Sequence, residues 1–531
     1  MTSTSPEPMP SACDVVVIGA GIAGLTASAL LAKSGLKVAL VEEQPQPGGY
    51  LVSFRRKGYV FDSSIQWLNQ CNARGLVNRV FRHIAPDFPV CRNMKRIHRY
   101  KGKSFDYVLT SEPEKLRDQL IRDHPEDRQG IVRFFEDCRR IGMHFDKLNL
   151  CMRVIETMTL QEKLRFGLKM TRWTAPVWKY FRMPAEEGVN LYFRTEGMKK
   201  LFCSEEKFMS MIMPVCWAYT GDIQSPPDGG TGVFADWLCR QIEAASSRVI
   251  LNSAVEKILL ENGRAAGVRL SNGHRISSQY VIATCDLQHL YENMLPAGVV
   301  PDRLMRDVRK ADLYPSGVNI FLGLDCDIAG LGLHEELTCI TEECANRTDH
   351  SGKDPHKISL IVQAPSVRDP SLAPQGKSTL TIHTAAWMDY EDNWKTDEGL
   401  GRGKAYREFK EQYAQVLISR VEKAMGVDLR KHIEVMEVAT PVTYWRYSRN
   451  RGGTTMGQKP TMKNITSRVA HYHTPVKNLL LGGHWAEYGG GVPIAVKAAA
   501  NASLLILQEM KKKEFHELRD VLDGKTIMTS D

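Results

Sequence analysis

The sequence lacks long apolar runs, paired cysteines and a strong excess of either charge. Among its 531 residues there is no uncharged apolar stretch of about 18 residues, so we expect no membrane-spanning helix. The twelve cysteines form no Cys-x-x-Cys and no zinc-like cluster with histidine, so we expect reduced thiols and no metal site. Basic residues exceed acidic ones by only 70 to 61, and no nucleic-acid-binding motif accompanies them, so we expect no nucleic-acid partner.

The start of the chain also lacks the pattern of an export signal. Residues 1–13 are polar and rich in proline, with no basic start and no apolar centre, so we expect a cytoplasmic protein. Residues 160–193 leave peripheral membrane association open, because basic side chains alternate there with aromatic and leucine side chains. That pattern suits a helix lying in a lipid surface, and equally a helix covering an internal apolar tunnel.

The strongest positive signal is a βαβ pattern near the amino terminus. A β-branched run at residues 14–18 predicts a buried strand, a helix is predicted over 25–34, and a second strand over 37–41. The turn after the first strand fits Gly-x-Gly-x-x-Gly and contains the first candidate binding residues: Gly19, Gly21, Ile22, Ala23 and Gly24. A strand, this turn and a helix in this order predict a dinucleotide site.

Each residue type in this pattern has a physical role. Gly19 permits a sharp turn, Gly21 lets a pyrophosphate approach the start of the helix, and Gly24 lets the helix lie close to the sheet. Glu42 ends the second strand and can accept hydrogen bonds from both ribose hydroxyls, and we include its neighbour Glu43 in the same site. A 2′-phosphate would be repelled by the Glu42 carboxylate, so the pattern predicts FAD or NAD.

A family resemblance decides between these two ligands. The glycine pair Gly48-Gly49, followed by Tyr50, precedes a Gly-aromatic-x-Phe-Asp run over residues 58–62. This arrangement resembles the FAD-dependent amine oxidase and phytoene desaturase superfamily. The resemblance implies that FAD is the cofactor and that these residues line it.

Further segments resemble the same superfamily. Residues 226–230 are similar to its Pro-x-Gly-Gly step, and the Asn-Gly turns at 262–263 and 272–273 predict a β-meander. Residues 280–286 then resemble the strand and Asn-Ala-Asp step that follow in phytoene desaturases. On this resemblance we add Val255 to the cofactor-binding residues.

The carboxy-terminal segment completes the resemblance. A strand at residues 478–481 runs into a glycine-rich loop and then an alanine-rich helix that starts with proline and is predicted over 493–510. The family places the positive end of this helix against the flavin ring, where it stabilises the negative charge of reduced flavin. The resemblance therefore adds four cofactor-binding residues: Gly483, Gly491, Val492 and Ile494.

The same loop holds the candidates for acid–base chemistry. His484 and Glu487 lie in the loop expected beside the ring, where an acid or base would assist reaction. Glu487 could instead only hydrogen-bond to loop amides. Upstream, Tyr444 and Tyr447 resemble family residues that line the pocket, with core packing as the alternative.

Taken together, the patterns predict an α/β fold with two parts. One is a Rossmann-like FAD-binding domain with a β-meander, and the other is an α+β substrate domain with a mixed sheet and a helical lid. The FAD-binding domain is predicted to be discontinuous, over residues 1–95, 215–300 and 435–531. The substrate domain would take residues 96–214 and 301–434.

The resemblance implies an FAD-dependent oxidoreductase of the phytoene desaturase, carotenoid isomerase and retinol saturase group. Its substrate would be a long apolar polyene, changed at carbon–carbon double bonds by desaturation, saturation or isomerisation. Because no second Gly-x-Gly-x-x-Gly is present, electrons would pass to or from a transient partner such as oxygen, a quinone or a nicotinamide, or return to the substrate. An oxidase or reductive cyclase of polyene natural products stays open; an amine oxidase and a flavin-binding carrier are disfavoured.

Overall fold

The structure is a computed structural model that describes residues 9–150, 152–343 and 346–525. Within these ranges the strands are β1 (Ala12–Ile18), β2 (Val38–Val41), β3 (Ser53–Arg56), β4 (Tyr59–Asp62), β5 (Arg96–Lys101), β6 (Asp106–Thr110), β7 (Arg248–Ile250), β8 (Val255–Glu261), β9 (Arg264–Leu270), β10 (Arg275–Ala283), β11 (Ser316–Leu324), β12 (Leu337–Ile340), β13 (Leu360–Gln363), β14 (Ser378–Ala386), β15 (Ile433–Ala439) and β16 (Leu479–Leu481).

The helices of the described residues follow in chain order. They are α1 (Ile22–Lys33), α2 (Leu76–Ile84), α3 (Pro113–Asp123), α4 (Arg128–Leu148), α5 (Leu160–Thr174), α6 (Trp178–Arg182), α7 (Ala185–Tyr192), α8 (Glu196–Leu201), α9 (Phe208–Thr220), α10 (Gly232–Ala244), α11 (Leu287–His289), α12 (Asp302–Lys310), α13 (Arg347–His350), α14 (Pro365–Arg368), α15 (Glu391–Lys395, a left-handed turn), α16 (Lys404–Met425), α17 (Pro441–Ser448), α18 (Met462–Ser467), α19 (Val492–Glu509) and α20 (Glu514–Leu522).

The first sheet has the parallel centre of a Rossmann-like fold. Its order is β7–β2–β1–β10, and these strands run parallel. The far edge of β10 is shared by antiparallel β9 at its start and parallel β16 at its end. Strand β8 pairs with β9, which completes the predicted meander. The apolar β-branched residues of β1 and β2 suit strands covered on both faces.

Helices α1 and α19 pack in the core of this sheet. Helix α1 follows β1, and α19 follows the glycine-rich loop after β16; the two helices pack against each other. The middle of α19 is rich in alanine, and these small side chains are fully buried, which permits close helix packing. Helix α19 therefore lies in the same core as the amino-terminal βαβ unit.

The second sheet is mixed. Its order is β15–β11–β14–β13–β12–β5–β6, and the β12–β5 pair is parallel whereas its other pairs are antiparallel. Helices α4, α7, α8 and α9 form a core of their own with strands β5 and β6. The predicted α/β fold, a Rossmann-like half together with a mixed sheet, is confirmed.

The division into two domains stays a prediction. The first sheet draws on residues 12–41, 248–283 and 479–481, and the second on residues 96–110 and 316–439, which follows the predicted alternation of segments. Strand β15 crosses the predicted boundary at residue 435, because it pairs along its length with β11 of the second sheet. In the described part of the chain, no helix is long and apolar enough to cross a bilayer.

Candidate functional site

The predicted cofactor segments meet at one edge of the first sheet. Strands β1, β10 and β16 are parallel neighbours, so their carboxyl ends lie side by side. Gly19 follows β1, Thr284 follows β10 and Gly482 follows β16. The Thr284 hydroxyl donates to the Ile18 carbonyl at 2.7 Å, and the Gly482 amide donates to the Ala283 carbonyl at 3.0 Å. The amino-terminal and carboxy-terminal glycine segments are therefore brought together.

The three glycines of the first turn differ in what a side chain would meet. A Cβ on Gly24 would lie 1.8 Å from the Gly19 carbonyl oxygen, and a Cβ on Gly19 would lie 2.8 Å from the Thr284 hydroxyl. A Cβ on Gly21 would meet no protein atom within 4 Å. Gly19 and Gly24 are therefore required by the packing of the fold, whereas Gly21 faces space that a ligand can use.

The start of α1 suits an anion. Its N-cap is Gly21, no side chain caps it, and its first turn has no acidic residue. The amide groups at the start of a helix have no partner within the helix, and the helix dipole adds positive potential there. A pyrophosphate beside Ile22 and Ala23 would be stabilised by both effects.

Glu42 lies where the ribose is expected. Its carboxylate accepts hydrogen bonds from the amides of Ala20, at 2.6 Å, and Gln44, at 2.9 Å. Burial raises the pKa of Glu42, while these two hydrogen bonds lower it. The Glu42 carbonyl accepts from the Ser253 amide at 2.8 Å, which places the start of β8, where Val255 lies, next to this segment. The adjacent Glu43 carboxylate lies 3.9 Å from the Arg449 guanidinium.

The second glycine pair lies against the first turn. Gly48 and Gly49 have positive φ angles of 125° and 56°, and the Gly48 amide donates to the Ala20 carbonyl at 2.7 Å. A Cβ on Gly49 would lie 3.1 Å from the Gly21 Cα. The Tyr50 hydroxyl is used within the protein, because it donates to the Thr454 carbonyl at 2.8 Å.

The start of α19 presents a second free helix end. Gly491 has a φ of 83° and precedes α19, whose first turn contains Pro493, no acidic residue and no side-chain cap. Val492 is buried and Ile494 is partly exposed. Gly483, at the start of the same loop, lies against Thr284, since a Cβ there would be 3.1 Å from the Thr284 carbonyl. These residues fit a long cofactor between two helix N-termini, and their individual roles stay predictions.

The two acid–base candidates have different surroundings. Burial lowers the pKa of His484 to about 4, so its ring is neutral at pH 7, and its buried Nε2 has no hydrogen-bond partner among the described residues. Glu487 accepts from the Tyr472 hydroxyl at 2.5 Å and forms an ion pair with Lys497 at 3.0 Å. Its carboxylate is therefore held by two partners of the loop and helix, and its acid–base role stays a prediction.

The tyrosines predicted to face the substrate are engaged elsewhere. Tyr444 is buried and its hydroxyl donates to the Ser63 carbonyl at 2.7 Å. Tyr447 is exposed, with the Arg446 guanidinium 4.3 Å from its ring centre. The arrangement of Tyr444 agrees with core packing, the alternative left open by the sequence.

A cavity of about 220 Å³ adjoins the start of α19. One wall comes from α4 and the residue that caps its end, and the other comes from α9; along each wall the lining residues recur at positions i, i+3, i+4 and i+7. The lining residues are Asn69, Gln70, Gly142, Phe145, Asp146, Asn149, Met213, Cys216, Trp217, Thr220, Asp222 and Pro493. Sequence reasoning missed Asp146 and Asp222, although the helical spacing around Asp146 was a usable signal.

A group of ligand-like atoms lies at the end of β11. The side-chain donor atoms of Asp325, Cys326 and His432 are within 4.8 Å of one another, and His432 Nδ1 is 2.7 Å from the Asp325 carboxylate. This contact accounts for the grouping without an ion. The expectation of no metal site stays a prediction.

Comparison with known proteins agrees with this geometry. A family model described as flavin containing amine oxidoreductase matches residues 22–507. Because the match spans most of the chain, the protein belongs to this family. It is therefore a flavin-dependent oxidoreductase, and the cofactor that fits its two glycine segments is FAD.

The more similar relatives include three enzymes with different printed activities. The chain is 26% identical to prolycopene isomerase of Daucus carota over an alignment of 469 residues, and this alignment covers 83% of this chain and 71% of the relative. It is 24% identical to all-trans-retinol 13,14-reductase of Danio rerio, covering 97% and 90%. It is 25% identical to 4,4′-diapophytoene desaturase of a Methylomonas species, covering 93% and 95%.

A solved structure shares the fold. An oxidoreductase from Methanosarcina mazei superposes with a TM-score of 0.58 at 15% identity. The superposition covers 94% of this chain and all of the other. The likeness supports the assignment of the fold class.

Proposed function

We propose that this flavoenzyme acts on carbon–carbon double bonds of a long apolar polyene. The observation that carries the proposal is the cavity at the start of α19, where Phe145, Met213 and Trp217 supply apolar surface beside the helix end expected to face the flavin. The named relatives supply the substrate class, because each acts on an isoprenoid polyene by name.

The chain's own residues divide the work of holding FAD. The start of α1 with Gly21 would hold the pyrophosphate, and Glu42 the adenosine ribose. The positive end of α19 would stabilise negative charge on the ring. FAD, when bound, supplies the exchange of a hydride, and Phe145, Met213 and Trp217 would give the reacting polyene apolar surface in the cavity.

The direction of reaction is part of the proposal. Desaturation, saturation and isomerisation all fit a flavin beside a cavity that has both apolar and carboxyl side chains, and the relatives' names cover all three. The described chain contains one nucleotide-binding βαβ unit, so we infer either a transient redox partner (oxygen, a quinone or a nicotinamide) or the return of the electrons to the same substrate. An oxidase or reductive cyclase of a polyene natural product would share the cofactor site and form a different product.

One anaerobic experiment separates these reactions. FAD-loaded protein is mixed with a polyene in the oxidised state and again after photoreduction, and flavin absorbance and products are followed. Bleaching of oxidised flavin indicates desaturation, and reoxidation of reduced flavin indicates saturation or, with a new ring, cyclisation. Conversion without net electron use indicates isomerisation. Protein that takes up FAD but neither binds nor changes carotenoids or retinoids would contradict the proposal.

We also propose that α5 and α6 contact an anionic membrane surface. Helix α5 has no buried residue, and Leu160, Leu164 and Leu168 recur every four residues on it with exposures of 76%, 64% and 75%. Trp178 on α6 is 58% exposed. Residues 160–182 contain six basic side chains and one acidic side chain. An exposed apolar stripe bordered by cations suits anionic lipid.

Vesicle flotation tests this contact. Wild-type protein should float with vesicles containing phosphatidylserine and less with phosphatidylcholine alone. The double variant Leu164→Ser/Leu168→Ser should stay at the bottom of the gradient, whereas Val90→Ser, at an equally exposed apolar position outside α5, should float like wild type. Unchanged flotation of the double variant would remove the proposal.

A further inference from the structure

Asp146 differs from every other acidic group near the expected flavin ring. It lies in the last turn of α4, is half-buried and lines the cavity that Pro493 of α19 also lines. Its carboxyl group forms no hydrogen bond or ion pair with any residue that the structure describes. A carboxylate in a partly buried position without a partner is costly, so the position indicates a contact with whatever fills the cavity.

The second carboxyl group of the cavity is fully used. Asp222 accepts hydrogen bonds from the Gln70 amide and side chain, both at 2.6 Å, and from the Asn72 side chain at 2.9 Å. Burial raises its pKa to about 6, and the charge of Asp146 adds to this rise. The two carboxyl groups therefore interact electrostatically within one cavity, and Asp222 is the one of the two that hydrogen bonds hold in place.

We propose that Asp146 exchanges the proton with the substrate carbon. The inference rests on the proposed polyene chemistry. Asp146 has a carboxyl group free to face the substrate, whereas the Glu487 carboxylate is occupied by Tyr472 and Lys497. The remaining titratable residue of the cavity lining is Cys216.

The step balances in either direction. In saturation, one carbon of the double bond would receive the hydride that reduced FAD supplies when bound, and its neighbour would receive the Asp146 proton. The π bond breaks, two C–H bonds form, the substrate gains two electrons, the flavin loses two, and the carboxyl becomes a carboxylate. Desaturation is the reverse: the carboxylate takes the proton as the hydride leaves. In isomerisation the same proton is given and taken back.

The test compares FAD-loaded Asp146→Asn with wild type and with Glu136→Gln, a matched change at an exposed carboxylate of the same helix. The first readout is the rate of solvent-deuterium entry into the polyene, or of proton loss from it. We expect Asp146→Asn to bind FAD and polyene normally, by absorbance, but to transfer the proton at least about 100-fold more slowly. Asp146→Glu should recover part of the rate, and Glu136→Gln should match wild type.

The second readout needs no turnover. The infrared difference spectrum of FAD-loaded, substrate-free protein between pH 8 and pH 5 should contain a carboxyl band of the pair. That band should be lost or shifted in Asp146→Asn and kept in Glu136→Gln. If the rate of proton transfer in Asp146→Asn is within about threefold of the wild-type rate, or if the infrared band is unchanged, the role of Asp146 is wrong and the proposed function still stands. Wild-type protein that carries FAD but accepts no polyene would end the proposed function, and this inference with it.

Discussion

Two glycine-to-alanine changes three residues apart should have opposite consequences. In Gly21→Ala the new methyl group meets no protein atom within 4 Å, and the residue has φ −70°, which alanine adopts freely. In Gly24→Ala the methyl group would lie 1.8 Å from the Gly19 carbonyl oxygen. The first change therefore removes space for a ligand, and the second removes space for the protein itself.

The magnitudes follow from these positions. Alanine lowers the entropy of the unfolded chain, which stabilises by about 0.4–1 kcal/mol, but it is a poorer N-cap than glycine by a similar amount. Gly21→Ala should therefore keep the free energy of unfolding of FAD-free protein within about 1 kcal/mol of wild type. Gly24→Ala should lower it by about 1–3 kcal/mol or more through overpacking. Loss of one charge-assisted hydrogen bond to pyrophosphate, about 1.5–3 kcal/mol, should weaken FAD binding to Gly21→Ala about 10- to 150-fold.

The assay has two parts. Denaturant unfolding of FAD-free protein measures stability, and titration with FAD followed by flavin fluorescence measures affinity. If Gly21→Ala binds FAD as tightly as wild type, the pyrophosphate does not lie at this turn. If FAD-free Gly24→Ala is as stable as wild type, the account of helix packing against the turn is wrong.

Three further predictions concern carboxylates. Burial raises the pKa of Asp222 from 3.8 to about 6, so wild-type protein loses stability as the pH rises between those values. Over that rise, the free energy of unfolding of Asp222→Asn in urea should gain about 3 kcal/mol relative to that of wild type. A difference between the two proteins that does not change with pH would contradict this. Glu42→Gln should bind FAD about tenfold more weakly, because a charged acceptor for ribose is lost, and equal affinity would exclude that role. Glu487→Gln separates two roles. If Glu487 is the acid or base, the variant should turn over about 100-fold more slowly. If Glu487 only binds Lys497 and Tyr472, the variant should keep its turnover and lose about 1–3 kcal/mol of stability, which is the outcome that its contacts favour.

Local sequence signals were sufficient for the cofactor half of the fold. The helices predicted over 25–34 and 493–510 are α1 and α19, displaced by one to three residues at their ends. These elements are predictable because glycine turns, β-branched runs and a proline at a helix start act on their immediate neighbours.

The cavity could not be predicted in the same way. Asp146 on α4 and Trp217 on α9 are far apart in sequence, and they line one cavity only because the two helices pack together. Periodicity indicates which face of each helix is inward, but it does not state which faces meet. The partners of Glu487 were missed for the same reason, since Tyr472 reaches its carboxylate from another loop.

The most direct measurement is the amount and identity of flavin bound by the purified protein. FAD-saturated protein is freed of excess ligand, its visible spectrum is recorded, and the flavin released by acid is identified and counted per chain. We expect one FAD per chain in the wild-type protein and less bound FAD in Gly21→Ala treated in the same way. A correctly folded, colourless protein that takes up no FAD would contradict the account.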